Sequence, residues 1–212
     1  MNDTPAAPDV ANALLREARH ELAEHGASGV SLRAVARRAG VSHAAPKHHF
    51  GDRAGLLTAV AVDGFERLTQ ELLRADGTVG DADAVDRIAA LGQAYLDFGI
   101  ANPAVFELMF HPDQVHRDAP ALVTARSESF DVLASAVDDA VDDTAGQRRY
   151  DRPADQVTLI SWALVHGLVV LIHGGALQTI TGTDTPANVA HALTETFSAL
   201  LRANPPNQGP GA

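Results

Sequence analysis

Between Arg33 and Arg53 the chain gathers side chains suited to holding a polyanion, not to making or breaking covalent bonds. Arg33 and Arg37 stand four apart, the spacing that puts two side chains on one helix face, with Arg38 beside them. Ser42, His43, Ala44, Lys47, His48 and His49 follow, and then Arg53. Guanidinium, ammonium and hydroxyl groups donate to phosphate oxygens. His and Lys also reach base edges, and an Ala methyl fits against a thymine methyl. The chemistry these residues imply is recognition of double-stranded DNA, with Arg53 near the backbone at a helix N-terminus. Material for catalysis is missing. The chain has no Cys, no His-Glu-x-x-His pair, no phosphate-cradling loop and no nucleophile elbow, and its Ser, His and Asp residues fall into no recognisable triad. No enzyme activity, cofactor or metal site is expected.

Positioning such a set takes two short helices and a tight turn. Ser31 is the expected N-cap of the first, its hydroxyl accepting from a backbone N–H that has no partner within the helix. Leu32, Val35, Ala36 and Ala39 form one apolar face. Gly40 follows where a C-cap needs positive φ. Val41 plugs the angle, Ser42 caps the second helix, and Phe50 ties that helix to a core. The second helix has little apolar bulk to bury, as befits one that enters a groove. Helix, Gly-containing turn and helix make a helix-turn-helix at 31–50, whose second helix lies in the major groove. These residues alone leave open a solvated helical hairpin on an unrelated all-α protein.

Residues 10–65 resemble the N-terminal domain of the TetR family of transcriptional regulators. Gly26, Ser31, Leu32, Val35, Ala36, Gly40, Val41, Ser42, His49, Phe50, Leu56 and Leu57 carry the resemblance, in order. The chain departs from the family at Pro46-Lys47, where Leu-Tyr is usual. The family's Tyr donates to a phosphate, a part that Lys47 can take as a point charge. Pro46 lies within about a turn of Ser42, where a missing N–H costs little.

Composition sets bounds. In 212 residues, apolar types make up 46% and charged types 20%, which indicates a globular chain with one or two domains. The lack of Cys suits a reducing cytoplasm. The first ten residues have no signal-peptide pattern. The apolar run near Trp162–Ile172 is interrupted by His166 and reads as too short for a membrane span, so no membrane partner is expected. Net charge is −11, unevenly spread. Residues 1–60 carry seven Lys/Arg against six acids, and residues 61–212 nine against twenty-one. The acidic remainder repels DNA and leaves the N-terminal part as the tolerable contact face.

The periodicity predicts an all-α chain of about nine helices. A DNA-binding domain is expected over 8–68 and a ligand-binding and dimerisation domain over 80–203, with disordered tails at 1–7 and 204–212. Asp9 is the expected cap of helix 1, which ends at Gly26. Asp52 caps helix 4, running to about Arg74 before a polar break at 75–83, and Asp83 caps the next helix. Pro103, Pro120, Pro153 and Pro186 open later helices, the one from Pro153 running to about Gln178. Asp138, Asp139, Asp142 and Asp143 read as a frayed, solvated helix end.

In the C-terminal body, Trp162-Ala-Leu-Val-His-Gly167 and Ala101–Phe110 resemble a TetR-family C-terminal domain named for its Trp-His-Gly motif, and the SHAAP segment Ser42–Pro46 resembles the same subgroup. Trp162, Val165, Val169 and Ile172 form one stripe and Leu164, Leu168 and Leu171 a second, so this helix is buried on two sides. The resemblance implies a homodimer in which helices near 153–178 and 186–203 form a four-helix bundle with their copies. Tyr95, Phe98, Phe106, Met109, Phe110, Phe130, Trp162 and His166 are candidates to line a pocket for a small-molecule effector, and serve equally as plain core. His166 and His173 read as hydrogen-bonded core or interface residues, because no carboxylate nearby completes a metal site. The expected function is a cytoplasmic, homodimeric transcriptional repressor, released from a palindromic operator by a small, largely apolar ligand. The alternative is an interaction protein that keeps the fold without binding DNA.

Overall fold

The computed structural model describes residues 10–79, 83–140 and 153–203. These form ten α-helices, one 3-10 turn and no strand. The helices divide between two compact units. The first unit takes the chain up to Glu66 together with Asn102–Arg126, and the second takes Arg67–Ala101 and the chain from Ser127 on.

The first unit contains α1 (Val10–Gly29), α2 (Leu32–Arg38), α3 (Ala45–Phe50) and the opening half of α4 (Arg53–Thr78). To these it adds α6 (Pro103–Met109), the 3-10 turn Pro112–Gln114 and the start of α7 (Pro120–Ala140). Leu14, Ala18 and Leu22 of α1 are buried with Val35 and Ala36 of α2 and Leu56, Leu57, Val60 and Phe65 of α4. A Cβ at Gly64 would stand 2.8 Å from both Met109 Sδ and Val105 Cγ1, so the missing side chain lets α6 close on α4. Phe110 then meets Phe65 edge-on at 5.6 Å and Phe106 at 5.0 Å between ring centres. α1 leaves helical geometry at Gly26 (φ 67), where the sequence stops it, and makes a further turn to Gly29.

The second unit contains the rest of α4, then α5 (Ala84–Ala101), most of α7, α8 (Pro153–His173), α9 (Ala176–Thr181) and α10 (Pro186–Ala203). α5 packs against both α8 and α10. Arg87 ties the unit together, bridging Asp76 of α4 at 2.7 Å and Asp139 of α7 at 2.5 Å. Those carboxylates hold its guanidinium even more firmly protonated than usual. Asp83 caps α5 as expected, accepting from Asp86 N–H at 2.8 Å.

Four expectations are corrected. The helix from Pro153 stops at His173, because Gly174-Gly175 breaks it, with Gly175 at φ 71, and α9 follows as a separate helix. α4 runs through Gly77 to Thr78, the extra turn being held by the Asp76–Arg87 pair. Asp139 is paired rather than merely solvated, while Asp142 and Asp143 lie outside the described residues. Asp155–His173 is long and apolar enough to cross a membrane, with mean hydropathy 1.7, because the helix extends beyond the uninterrupted apolar run. Only 28% of its span is buried, since Ile160, Val170 and Leu171 face outward. The Asp9 cap and both terminal tails also fall outside the described residues.

Candidate nucleic-acid interface

The turn between α2 and α3 is built by the backbone. Gly40 N–H donates to Arg37 O at 3.2 Å and Val41 N–H to Ala36 O at 3.0 Å, with Gly40 at φ 67. This is the paired Schellman closure of a helix C-terminus, which needs a left-handed residue at that point. Ser31 takes the extended N-cap conformation, but its hydroxyl makes no capping bond. Ser42 is not the cap of the second helix. α3 begins at Ala45, and Ala45 N–H closes a turn onto Ser42 O at 3.0 Å. Pro46 explains the shift. A helix capped at Ser42 would put Pro46 where its missing N–H is needed. Starting later puts Pro46 in the first turn, where the N–H has no partner in any case.

Ser42, His43, Ala44, Lys47, His48 and His49 are all exposed, as are Arg33 and Arg37 of α2. The His48 and His49 rings meet edge-on at 5.4 Å. Arg38 belongs to the scaffold instead. Its guanidinium reaches Glu24 at 2.8 and 3.0 Å, Glu21 at 3.4 Å and Glu17 at 3.5 Å, which docks α2 on α1. Arg38 holds the Glu24 carboxyl below its usual range. Glu17 is lowered too, chiefly by its hydrogen bond with His20.

Arg53 is placed differently from the expected phosphate contact. It is half-buried, and Nε donates to Val30 O at 3.1 Å while Nη2 donates to Ala27 O and to Gln114 Oε1. It therefore fastens the start of α4 to the α1–α2 link and to the turn after α6. Neighbouring bonds repeat that fastening. His116 N–H donates to Thr58 Oγ1 at 2.8 Å, and His116 Nε2 lies 3.3 Å from Asp52 Oδ1. Asp52 caps α4 as expected, accepting from Gly55 N–H at 2.7 Å, and that bond above all holds its carboxyl below the ordinary range. Gly55 itself is obligatory, since a Cβ would lie 2.0 Å from Phe50 O. Gln114 and His116 were not singled out in the sequence, because nothing local marks a loop residue whose partner is some sixty positions away.

The proposed pocket residues separate into groups. Phe106, Met109 and Phe110 pack in the first unit, with Gly64 and Phe65. Tyr95, Phe130, Trp162 and His166 gather in the second. There the Trp162 indole N–H bonds to the Tyr95 hydroxyl, which is hydrogen-bonded to His166 Nδ1 at 3.0 Å, and Trp162 stacks on His166 at 5.0 Å. Burial pushes the phenol up and the imidazole down, which favours the neutral form of both. His173 Nε2 donates to Gly99 O at 3.1 Å. Phe98 lies under the Arg67 guanidinium and lines an open depression of about 230 Å³ with Arg74, Thr78 and Asp97.

Comparison with known proteins fits this architecture. Residues 14–60 match the model described as bacterial regulatory proteins, tetR family, and residues 88–197 match the tetracyclin repressor-like C-terminal domain. Over 93 residues the chain is 37% identical to the HTH-type transcriptional regulators Mb1846 of Mycobacterium bovis and Rv1816 of Mycobacterium tuberculosis. That match covers 43% of this chain, and the chain spans 39% of the length of those relatives. A Rhodococcus sp. RHA1 protein of unknown function superposes with a TM-score of 0.76 at 34% identity, over 93% of this chain and 98% of that one. AibR, solved in complex with isovaleryl coenzyme A and operator DNA, shares the fold at 16% identity and a TM-score of 0.62, over 89% of this chain and 97% of its own. The family and the mycobacterial relatives are transcriptional regulators rather than enzymes. With one model taking the helix-turn-helix and a second taking more than half of the chain behind it, this protein belongs to the TetR family of regulatory proteins.

Proposed function

We propose that the protein is a homodimeric, sequence-specific DNA-binding repressor, acting in the cytoplasm and released from a palindromic operator by a small, largely apolar ligand. The observation that carries the DNA reading is the division of labour among the cations. Arg19, Arg38 and Arg53 tie helices of the fold together, whereas Arg33, Arg37 and Lys47 stand exposed around α3 and, among the described residues, make no ion pair. In this reading residues 8–68 form the reading domain. Ser42 and Ala44 meet base edges, Arg33, Lys47 and His49 meet phosphates, and His43 and His48 stand where an imidazole reaches a base edge or the phosphate beside it. Arg53 sets the placement of the helices rather than leading the phosphate contacts.

The outward apolar faces of α8 and α10, with Ile160, Leu171, Leu193 and Leu200, support dimerisation through 153–178 and 186–203. A second copy covers such faces as well as lipid would, and a two-fold dimer presents its reading helices about 34 Å apart, one turn of DNA. The neutral Tyr95–Trp162–His166 group in an apolar setting suits a ligand with one or two hydrogen-bonding groups. AibR offers a precedent for the fold holding both an effector and an operator. An electrophoretic shift with the DNA upstream of the protein's own coding sequence tests the reading. A shifted band that resists a scrambled competitor supports it, and no band at low salt rejects it in favour of an interaction protein. Compounds that release the DNA should also change the emission of Trp162, the single Trp of the chain.

A further inference from the structure

The first unit has no net positive charge to offer DNA from its permanently charged residues. Residues 1–66 and 102–126 hold nine Lys/Arg and eleven Asp/Glu. The same segments hold seven of the ten histidines of the chain. Three of them, His43, His48 and His49, stand exposed on the seven-residue stretch that starts at the α2–α3 turn and runs through α3, beside Lys47. A helix bound for a polyanion normally carries fixed charge, because each neutralised phosphate releases a counterion. Here the side chains are of the one type that changes charge around neutral pH.

The surroundings leave those imidazoles available. α3 packs on α1 and α2. α2 brings only cations, Arg33, Arg37 and Arg38. α1 brings Arg16, Arg19, His20 and His25, and the acids Glu17, Glu21 and Glu24, all three of which are held by Arg38. Asp52, just beyond α3, is engaged by Gly55 N–H and His116. Among the described residues no ion pair joins His43, His48 or His49 to a carboxylate. A phosphate placed at this surface would meet three rings with no competing internal anion.

We propose that His43, His48 and His49 supply, as imidazolium ions, much of the phosphate-binding charge of the reading surface, so that DNA affinity rises as pH falls from about 7.5 to about 6. This rests on the DNA-binding reading above. The sign follows from linkage: a phosphate favours the protonated ring, so binding takes up protons and is promoted by acid. Each ring that gains a phosphate also adds about 0.9 to the salt slope. Lowering the pH therefore tightens binding and steepens its salt dependence together, a pairing that a merely pH-sensitive fold would not produce.

The test uses the full-length protein, the duplex from upstream of its own coding sequence and a scrambled duplex of equal length. Fluorescence anisotropy is read at both pH values across about 50–200 mM salt. Affinity for both duplexes should rise about tenfold or more at the lower pH, with a steeper slope. The triple variant His43→Gln, His48→Gln, His49→Gln should lose that response. The variant His48→Arg, His49→Arg should bind the scrambled duplex at the higher pH about as the wild type does at the lower. His111→Gln, altered away from α3, should keep the full response. Circular dichroism at each pH shows that the variants remain folded. Equal wild-type affinity at the two pH values overturns the proposal while leaving the DNA-binding reading standing, and so does a triple variant that keeps the pH response. No binding to either duplex at either pH removes both.

Discussion

The guanidinium of Arg53 reaches the carbonyls of Ala27 and Val30 and the amide oxygen of Gln114, so removing it takes a donor from three acceptors at once. An unsatisfied, partly buried acceptor costs about 1–3 kcal/mol, and some of that is recovered by water. Arg53→Ala should lower stability by about 1–3 kcal/mol in denaturant titration. DNA binding should weaken through misplaced helices, with no change of salt slope. A loss of about one unit of slope with unchanged stability would instead make Arg53 a phosphate ligand. Asp52 makes a different kind of prediction. Its folded carboxyl is depressed, chiefly by the Gly55 N–H, so its stabilising effect is complete above the ordinary Asp value of about 4. The effect is lost as pH falls through the depressed value. Thermal midpoints of wild type and Asp52→Ala should differ near neutrality and converge in acid. A gap that stays constant into strong acid would show that the carboxylate is not the source. Both residues were legible by type, and Asp52 by role. The role of Arg53 was not, because a fork of donors serves phosphate or carbonyl alike, and the partner's distance in sequence decides which.

Elements were legible where a local rule had no competitor. Gly40 was placed correctly because a Schellman closure needs one residue with positive φ, and no other residue near Arg38 offers it cheaply. An added Cβ there meets open space, so Gly40→Ala isolates the backbone term. It should cost about 1–2 kcal/mol in thermal or chemical unfolding. A variant as stable as the wild type would mean that the turn tolerates another geometry. Elements were misread where two rules met. Ser42 is a good cap, but Pro46 four residues on dictates where helical geometry can begin, and the proline prevails. Apolar periodicity continues from Ile172 to Leu177, but two consecutive glycines interrupt it. The end of α4 was drawn short because Gly77 weakens a helix, and the ion pair that offsets this comes from α5.

At the scale of the whole molecule, α8 and α10 leave Ile160 56%, Leu193 41% and Leu200 57% exposed. Large apolar side chains repeated along two adjacent helices exceed what a monomer ordinarily leaves in water. Leu193→Glu should convert dimers to monomers in sedimentation and abolish operator binding, while the helical signal persists. A wild type that sediments as a monomer, or a variant that stays dimeric, would remove this seam. The all-α class was legible from periodicity. The grouping of Asn102–Arg126 with the first unit was not, because it depends on packing of Phe110, Val105 and Met109 against α4 rather than on any local pattern.

That grouping bears on the order of events during synthesis. The helix-turn-helix is complete in sequence by Phe50, yet Phe65, Gly64, Thr58 and Arg53 complete their contacts only with residues 105–116. At ribosomal rates of about 5–20 residues per second, several seconds separate the emergence of the two segments. Throughout that interval the part of α4 around Gly64 and Phe65 lacks the Val105, Met109 and Phe110 side chains that cover it, and the bonds of Arg53 and Thr58 to Gln114 and His116 are unmade. The nascent chain should therefore stay susceptible to protease across α4 until the segment after α6 has emerged, and acquire its DNA-reading geometry only then.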